Sequence, residues 1–112
     1  MAYLPERGDI VWADFDPVVG HEQGLDRPAL VLSPAPFNQR FKLVLVAPIT
    51  SQVRGHGFEV TLTNCATHGV VLCEQMRTID YLARGVRFVE RTPPTTINDV
   101  LAKVGLLVKP FG

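Results

Sequence analysis

Residues Leu43–Gln52 read LVLVAPITSQ, apolar from Leu43 to Ile49 and polar from Thr50 onward. A continuous apolar run of this length, rich in branched side chains, predicts a buried β-strand and falls far short of the ~20 residues that a membrane-spanning helix requires. Shorter runs flank it. Ile10–Phe15 is aromatic and β-branched, Ala29–Leu32 is continuously apolar, Phe58–Leu62 alternates, and Val70–Met76 turns apolar again. Loop signals separate them: Pro17, Gly20 and Gly24, then Pro34 and Pro36, then Gly55 and Gly57, then Asn64–Gly69. No intervening segment reads as a helix long enough for a parallel crossover, so the strands are expected to pair antiparallel, in a small barrel or twisted sheet. Strand signals continue to about residue 91. After Pro93-Pro94 the period changes. Thr96 is placed to cap a helix, Asp99 falls in its first turn, and Ile97, Val100, Leu101, Val104, Leu107 and Val108 share one face. The expected fold is mainly β, of α+β class, with a C-terminal amphipathic helix that closes the sheet or a dimer.

The chain of 112 residues, 46% hydrophobic and 20% charged, is sized for one compact domain spanning residues 1–112, with a modest core and no need of disulfides. Cys65 and Cys73 form no C-x-x-C pair and read as two idle thiols. The N-terminal MAYLPERGD lacks the apolar run of a secretory signal, so a cytoplasmic protein is expected. Net charge is zero, which argues against a generic polyanion binder, but the charges are unevenly spread. Six acids stand against Arg7 alone up to Asp26, whereas Arg27 to Arg91 carries eight bases against four acids. Seven of those bases are arginine, whose planar fork suits phosphate and stacks on bases.

Two stretches are placed to carry chemistry. The loop DPVVGHEQGLDRP, Asp16–Pro28, presents His21, Glu22, Asp26 and Arg27 directly before a buried strand, the setting in which loops tend to bind. At Pro48–Gln52 a proline is expected to end the long strand, with Thr50 and Ser51 at its exit, where they would also suit a turn. His21, His56 and His68 with the two cysteines have no zinc-site spacing, so no metal or other cofactor is expected. Nor is there a G-x-S-x-G elbow, a P-loop or a dinucleotide fingerprint.

Five blocks carry a resemblance when taken in order and at their spacing: GDIVWADFDP at Gly8–Pro17, GHEQGLDRPALVLSP at Gly20–Pro34, APITSQ at Ala47–Gln52, GFEV at Gly57–Val60 and GVVLCEQMRTID at Gly69–Asp80. Together they resemble the MazF/PemK toxin endoribonucleases, including the ChpB-like branch whose loop also carries GHEQ. The resemblance covers about residues 6 to 85 and thins beyond Ala83. It implies a small SH3-like barrel that forms a homodimer and cuts single-stranded RNA at short sequences without a metal, leaving a 2′,3′-cyclic phosphate. It also implies an antitoxin partner that blocks the active sites. Residue by residue, Arg27 matches the family's catalytic arginine, Thr50 its catalytic threonine, and Glu22 the acidic residue of the same loop. Arg54 and Gln75 fall where similar proteins contact substrate; apart from the resemblance, His21 in the same loop as Glu22 has a suitable ordinary pKa and is a further candidate for substrate binding.

Attack of a ribose 2′-OH on the neighbouring phosphate needs a proton acceptor, a donor to the leaving 5′-oxygen, and support for the phosphorane oxygens. Arg27 and the Thr50 hydroxyl suit the last of these. A guanidinium keeps its proton at physiological pH, so Glu22 is the better base by pKa while the resemblance favours Arg27; both assignments stay open. Two rivals share the expected fold: a CcdB-type toxin that binds DNA gyrase and catalyses nothing, and a catalytically dead RNA-binding barrel.

Overall fold

The computed structural model describes residues 3–15 and 26–110, with Asp26 by its backbone alone. Its elements are β1 (Asp9–Asp14), β2 (Asp26–Val31), α1 (Ala35–Phe41), β3 (Val44–Thr50), β4 (Glu59–Thr61), β5 (Val70–Leu72), β6 (Arg77–Ile79), β7 (Arg87–Arg91) and α2 (Pro94–Val108). The strands form one sheet in the order β4-β5-β3-β2-β1-β7, with β6 added beside β3. Every pairing is antiparallel, as expected for strands joined by short loops.

The LVLVAPI run forms the central strand, and its lack of alternation has a plain cause. One face of β1–β3 packs Ile10, Leu30, Ala47 and Ile49 into a core with Val71 and with Val100 of α2. The other face packs Val11, Ala29, Val31, Val44 and Val46 with Ile79 and Tyr81. A strand covered on both sides gains from apolar residues at every position.

Pro48 does not end β3, contrary to the expectation from sequence. Along one edge β3 bonds β6 over Val44–Val46 and then β5 over Ile49–Thr50. Pro48 stands in the gap between those partners, where a missing N–H breaks no bond to either. The same exchange cuts short the expected strand Val70–Met76: only Val70–Leu72 is β5, Cys73–Gln75 is a 3₁₀ turn, and β6 starts beyond it at Arg77.

Two further expectations are corrected. The segment around Pro34 and Pro36 is α1 rather than a loop: prolines are tolerated in a first turn because its N–H groups have no partner within the helix. This short helix is anchored by buried Asn38, whose Nδ2 donates to the carbonyls of Pro5 (2.8 Å) and Ser33 (3.1 Å). Helix α2 begins at Pro94 after an N-cap at Pro93 that makes no side-chain cap bond, so Thr96 is buried inside the first turn instead of capping it. Asp99 accordingly lies beyond that turn. Of the expected apolar face, Ile97, Val100 and Val104 reach the core, whereas Leu107 and Val108 are exposed. Phe111 lies outside the described residues.

The sheet curls until its two ends meet. Glu90 of β7 accepts hydrogen bonds from the N–H groups of Ala66 (2.9 Å) and Thr67 (2.7 Å) and from the Thr67 hydroxyl (2.6 Å), in the loop that joins β4 to β5. Among the described residues, no helix is long and apolar enough to cross a membrane.

Candidate active site

Strand β2 begins at the end of the polar loop, and the β1 register pairs Arg27 with Ala13. The ladder between β2 and β3 runs from Ala29↔Pro48 to Val31↔Val46. Continued two residues further, that register sets Arg27 opposite Thr50, the last residue of β3. Side chains alternate along a strand and cross-strand partners share a face, so Arg27 and Thr50 extend the face that carries Ala29, Val31 and Val46. Both are half-buried, at the point where that core gives way to loops.

Thr50 is held from two sides. Its Oγ1 accepts the N–H of Gln52 (3.1 Å), the local turn that the sequence also suited. Because the hydroxyl accepts there, its own proton remains available to donate outward. On the other side Thr50 pairs with Val70, which brings Gly69 against the Thr50 backbone. A Cβ on Gly69 would lie 2.4 Å from the Thr50 carbonyl oxygen, and Gly69 has φ of +130°, a conformation that L side chains rarely adopt.

A second cation shares this face. Arg77 of β6 pairs with Val46, and its guanidinium carbon lies 5.4 Å from the centre of the Phe15 ring. Phe15 follows Ala13 on the same side of β1. An exposed arginine stacked on an aromatic ring is suited to a nucleic-acid strand. Sequence reasoning passed over Arg77 because it lies just past the Val70–Met76 segment, outside the strand expected there; the period of two across β6 would have pointed to it.

Arg54 and Gln75 are exposed on separate segments, the β3–β4 loop and the 3₁₀ turn. The Glu59 carboxylate accepts the N–H groups of Arg54 (2.9 Å) and Gly55 (2.8 Å). His56 Nε2 lies 3.3 Å from a carboxylate oxygen of Glu74, the neighbour of Gln75. Burial would raise the Glu59 pKa, but the two N–H groups, His56 and the Arg54 charge outweigh it and hold the carboxyl below its ordinary value. Glu22 and His21 lie outside the described residues, as does the side chain of Asp26.

The cysteines offer no ready nucleophile. Burial first, and Glu74 second, push the Cys73 thiol up to about 11, and Cys65 is raised by burial and by Glu90. Among the described residues, no three His, Cys, Asp or Glu side chains are grouped so as to hold a metal ion.

Comparison with known proteins gives the class first: this is the scaffold of a toxin endoribonuclease. The MazE-MazF complex from Deinococcus radiodurans contains a chain that matches with a TM-score of 0.89 and 41% identity, covering 96% of this chain and 97% of that one. The endoribonuclease toxin MazF of Escherichia coli K12 is 39% identical over 106 residues, 95% of this chain and 96% of its own length. The endoribonuclease PemK of Escherichia coli is 44% identical over 108 residues, 92% of this chain and 81% of its own. The family of PemK-like, MazF-like toxins of type II toxin-antitoxin systems matches residues 6–108, and the chain belongs to it. The match therefore continues through β7 and α2, beyond residue 85, where the quoted blocks thin out.

Proposed function

We propose that this toxin cuts single-stranded RNA at short recognition sequences by attack of a ribose 2′-OH on the adjacent phosphate, leaving a 2′,3′-cyclic phosphate and requiring no metal. The observation that carries the reading is the β2–β3 register, which, continued two residues past Ala29↔Pro48, sets Arg27 opposite Thr50 at neighbouring strand ends. In the transition state the Arg27 guanidinium and the Thr50 hydroxyl donate to the phosphorane oxygens as their charge develops. A carboxylate such as Glu22 takes the 2′-OH proton more readily than a guanidinium that keeps its own, and the protonated base or water gives a proton to the 5′-oxygen as its bond to phosphorus breaks. Arg54, Gln75 and His21 contact the RNA beside the cleaved bond, and the Arg77–Phe15 stack adds a cation and a π-face.

The same reading gives a single domain over residues 1–112 that acts in the cytoplasm as a homodimer and is blocked by a cognate antitoxin protein. The solved MazE-MazF complex supports such a partner. A gyrase-binding toxin is not favoured, because the curated relatives are endoribonucleases.

The test is incubation of purified protein with a long single-stranded RNA in EDTA. Discrete fragments ending in cyclic phosphate are expected, and the same sequence in a duplex should be spared, since A-form RNA hides its base edges in a deep, narrow groove. Loss of cleavage on chelation, restored by a divalent ion, would overturn the metal-free mechanism. Equal rates on duplex and single strand would overturn the substrate class.

A further inference from the structure

The β3–β4 loop is exposed from Ser51 to Gly57, so packing against the core does not set its shape. At Arg54 and Gly55 its backbone is held instead by one carboxylate. Glu59, the first residue of β4, has a side chain only 4% exposed, and each of its oxygens accepts one N–H from the loop, Arg54 on Oε2 and Gly55 on Oε1. Charge-assisted bonds of this kind are stronger than neutral ones and fix direction as well as distance. Gly55 turns with φ of +84°, so the peptide that follows Arg54 is bent towards that carboxylate.

His56 continues the connection. Its Nδ1 accepts the N–H of Phe58 at 3.2 Å, which in a neutral imidazole places the proton on Nε2. That nitrogen faces Glu74 at 3.3 Å and, at a longer 3.7 Å, Glu59. The Glu74 carboxylate also accepts a long bond from the Gln75 amide, at 3.5 Å. A chain of contacts thus runs from Glu59 through the loop to Glu74 and Gln75, and its two ends carry the RNA contacts assigned above.

We infer that Glu59 is a positioning residue for RNA binding: with the His56–Glu74 contact it holds the Arg54 loop and the Gln75 turn as one unit. The inference rests on the reading of Arg54 and Gln75 as substrate contacts. Glu59 touches no reacting atom in this scheme. It acts through the loop backbone, so its loss should appear in KM rather than in kcat.

The experiment is steady-state cleavage of a short single-stranded RNA by Arg54→Ala, Glu59→Ala, the double variant and Glu74→Ala, with thermal melting of each. Arg54→Ala and Glu59→Ala should each raise KM by roughly five- to tenfold with kcat within about twofold. The double variant should be within about twofold of Arg54→Ala alone, because both changes remove the same contact. Glu74→Ala, which cuts the His56 connection and the long Gln75 bond but leaves Glu59 in place, should raise KM by a smaller factor without lowering Tm. A merely structural Glu59 would lower Tm and act equally in both backgrounds, and that result overturns the inference. So does an Arg54→Ala that raises KM beside a Glu59→Ala that does not. An Arg54→Ala without effect on KM instead overturns the substrate-contact reading beneath it. If Glu59→Ala does not fold, Glu59→Gln keeps the shape and one acceptor, and it should give an intermediate KM.

Discussion

At the scale of single residues, the proposed site rests on Arg27 and Thr50, which the β2–β3 register, continued two residues past Ala29↔Pro48, sets opposite each other. In the proposed mechanism Arg27→Ala removes a donor from the developing oxyanion, a loss that commonly costs ~10² to 10³ in rate, and more for a charged donor. Stability should move little, within about 0.5 kcal/mol, because the side chain sits at the rim of the core and not inside it. Thr50→Ala should slow cleavage by a smaller factor, since a neutral hydroxyl gives a weaker bond than a cation. Single-turnover cleavage and melting of both variants decide the point. Near wild-type cleavage by a normally melting Arg27→Ala would remove the arginine from the mechanism and leave Glu22 with His21 to be tested. The sequence points to these two residues because their blocks, RPALVLSP and APITSQ, resemble a known pattern. Gly69 was legible only as a loop glycine. Its approach to Thr50 depends on how β3 and β5 pair, which no local pattern states. Gly69→Ala must push on the Thr50 backbone and adopt a φ that alanine disfavours, so we expect a loss of about 1–3 kcal/mol and slower cleavage. An alanine variant with unchanged melting and rate would show that the contact relaxes without cost.

At the scale of elements, the long apolar run announced a buried strand, and the clusters at Gly55–Gly57 and Asn64–Gly69 marked the loops on either side of β4. What escaped was the choice of partner. Val70–Met76 reads as one apolar segment, yet β3 takes β5 at one end and β6 at the other, so the chain must bend between them. Helix α1 escaped because proline signals loop and helix first turn alike, and here buried Asn38 and its carbonyl partners settle the matter. The closure of the sheet by Glu90 was invisible for a similar reason: its donors, Ala66 and Thr67, lie more than twenty residues away in sequence. That closure has a pH signature. The Thr67 hydroxyl first, and the Ala66 N–H next, hold the Glu90 carboxyl below its ordinary value against a smaller opposing effect of burial. A carboxylate whose pKa is depressed by folding contributes stability above its unfolded pKa of about 4.3 and loses it as pH falls through the lower folded value. Glu90→Gln should therefore melt below the parent at pH 7, by about 1 kcal/mol or roughly 4 °C. The gap should narrow below about pH 4, where the parent carboxyl is also protonated. Melting followed from pH 7 to pH 3 checks this, and a gap constant across that range would show that Glu90 acts by shape and not by charge.

At the scale of the molecule, the sheet is well covered in its interior but α2 is not. Its last turns leave Leu106 63% and Val108 65% exposed, with Leu107 between them also open. Beside them a groove of about 630 Å³ runs between β4 and α2, walled by Val60, Thr61, Ala102 and Leu106 and edged by Asp99 and Lys103. Scattered apolar residues on a surface need no explanation, but three in succession beside an open groove form a patch of the kind that monomeric proteins rarely leave uncovered. The hydrophobic period of α2 foretold this: its apolar face runs from Ile97 to Val108, whereas the core meets it only as far as Val104. A sequence can declare that a face is apolar without declaring whether the same chain covers it. Net charge near zero adds to the tendency, since little long-range repulsion opposes association of two copies. The protein should therefore sediment as a homodimer at micromolar concentration, and added salt should not dissociate it, because apolar contact is not screened by ions. A species that sediments only as monomer under these conditions would remove the dimer from the reading and leave the exposed end of α2 to the antitoxin.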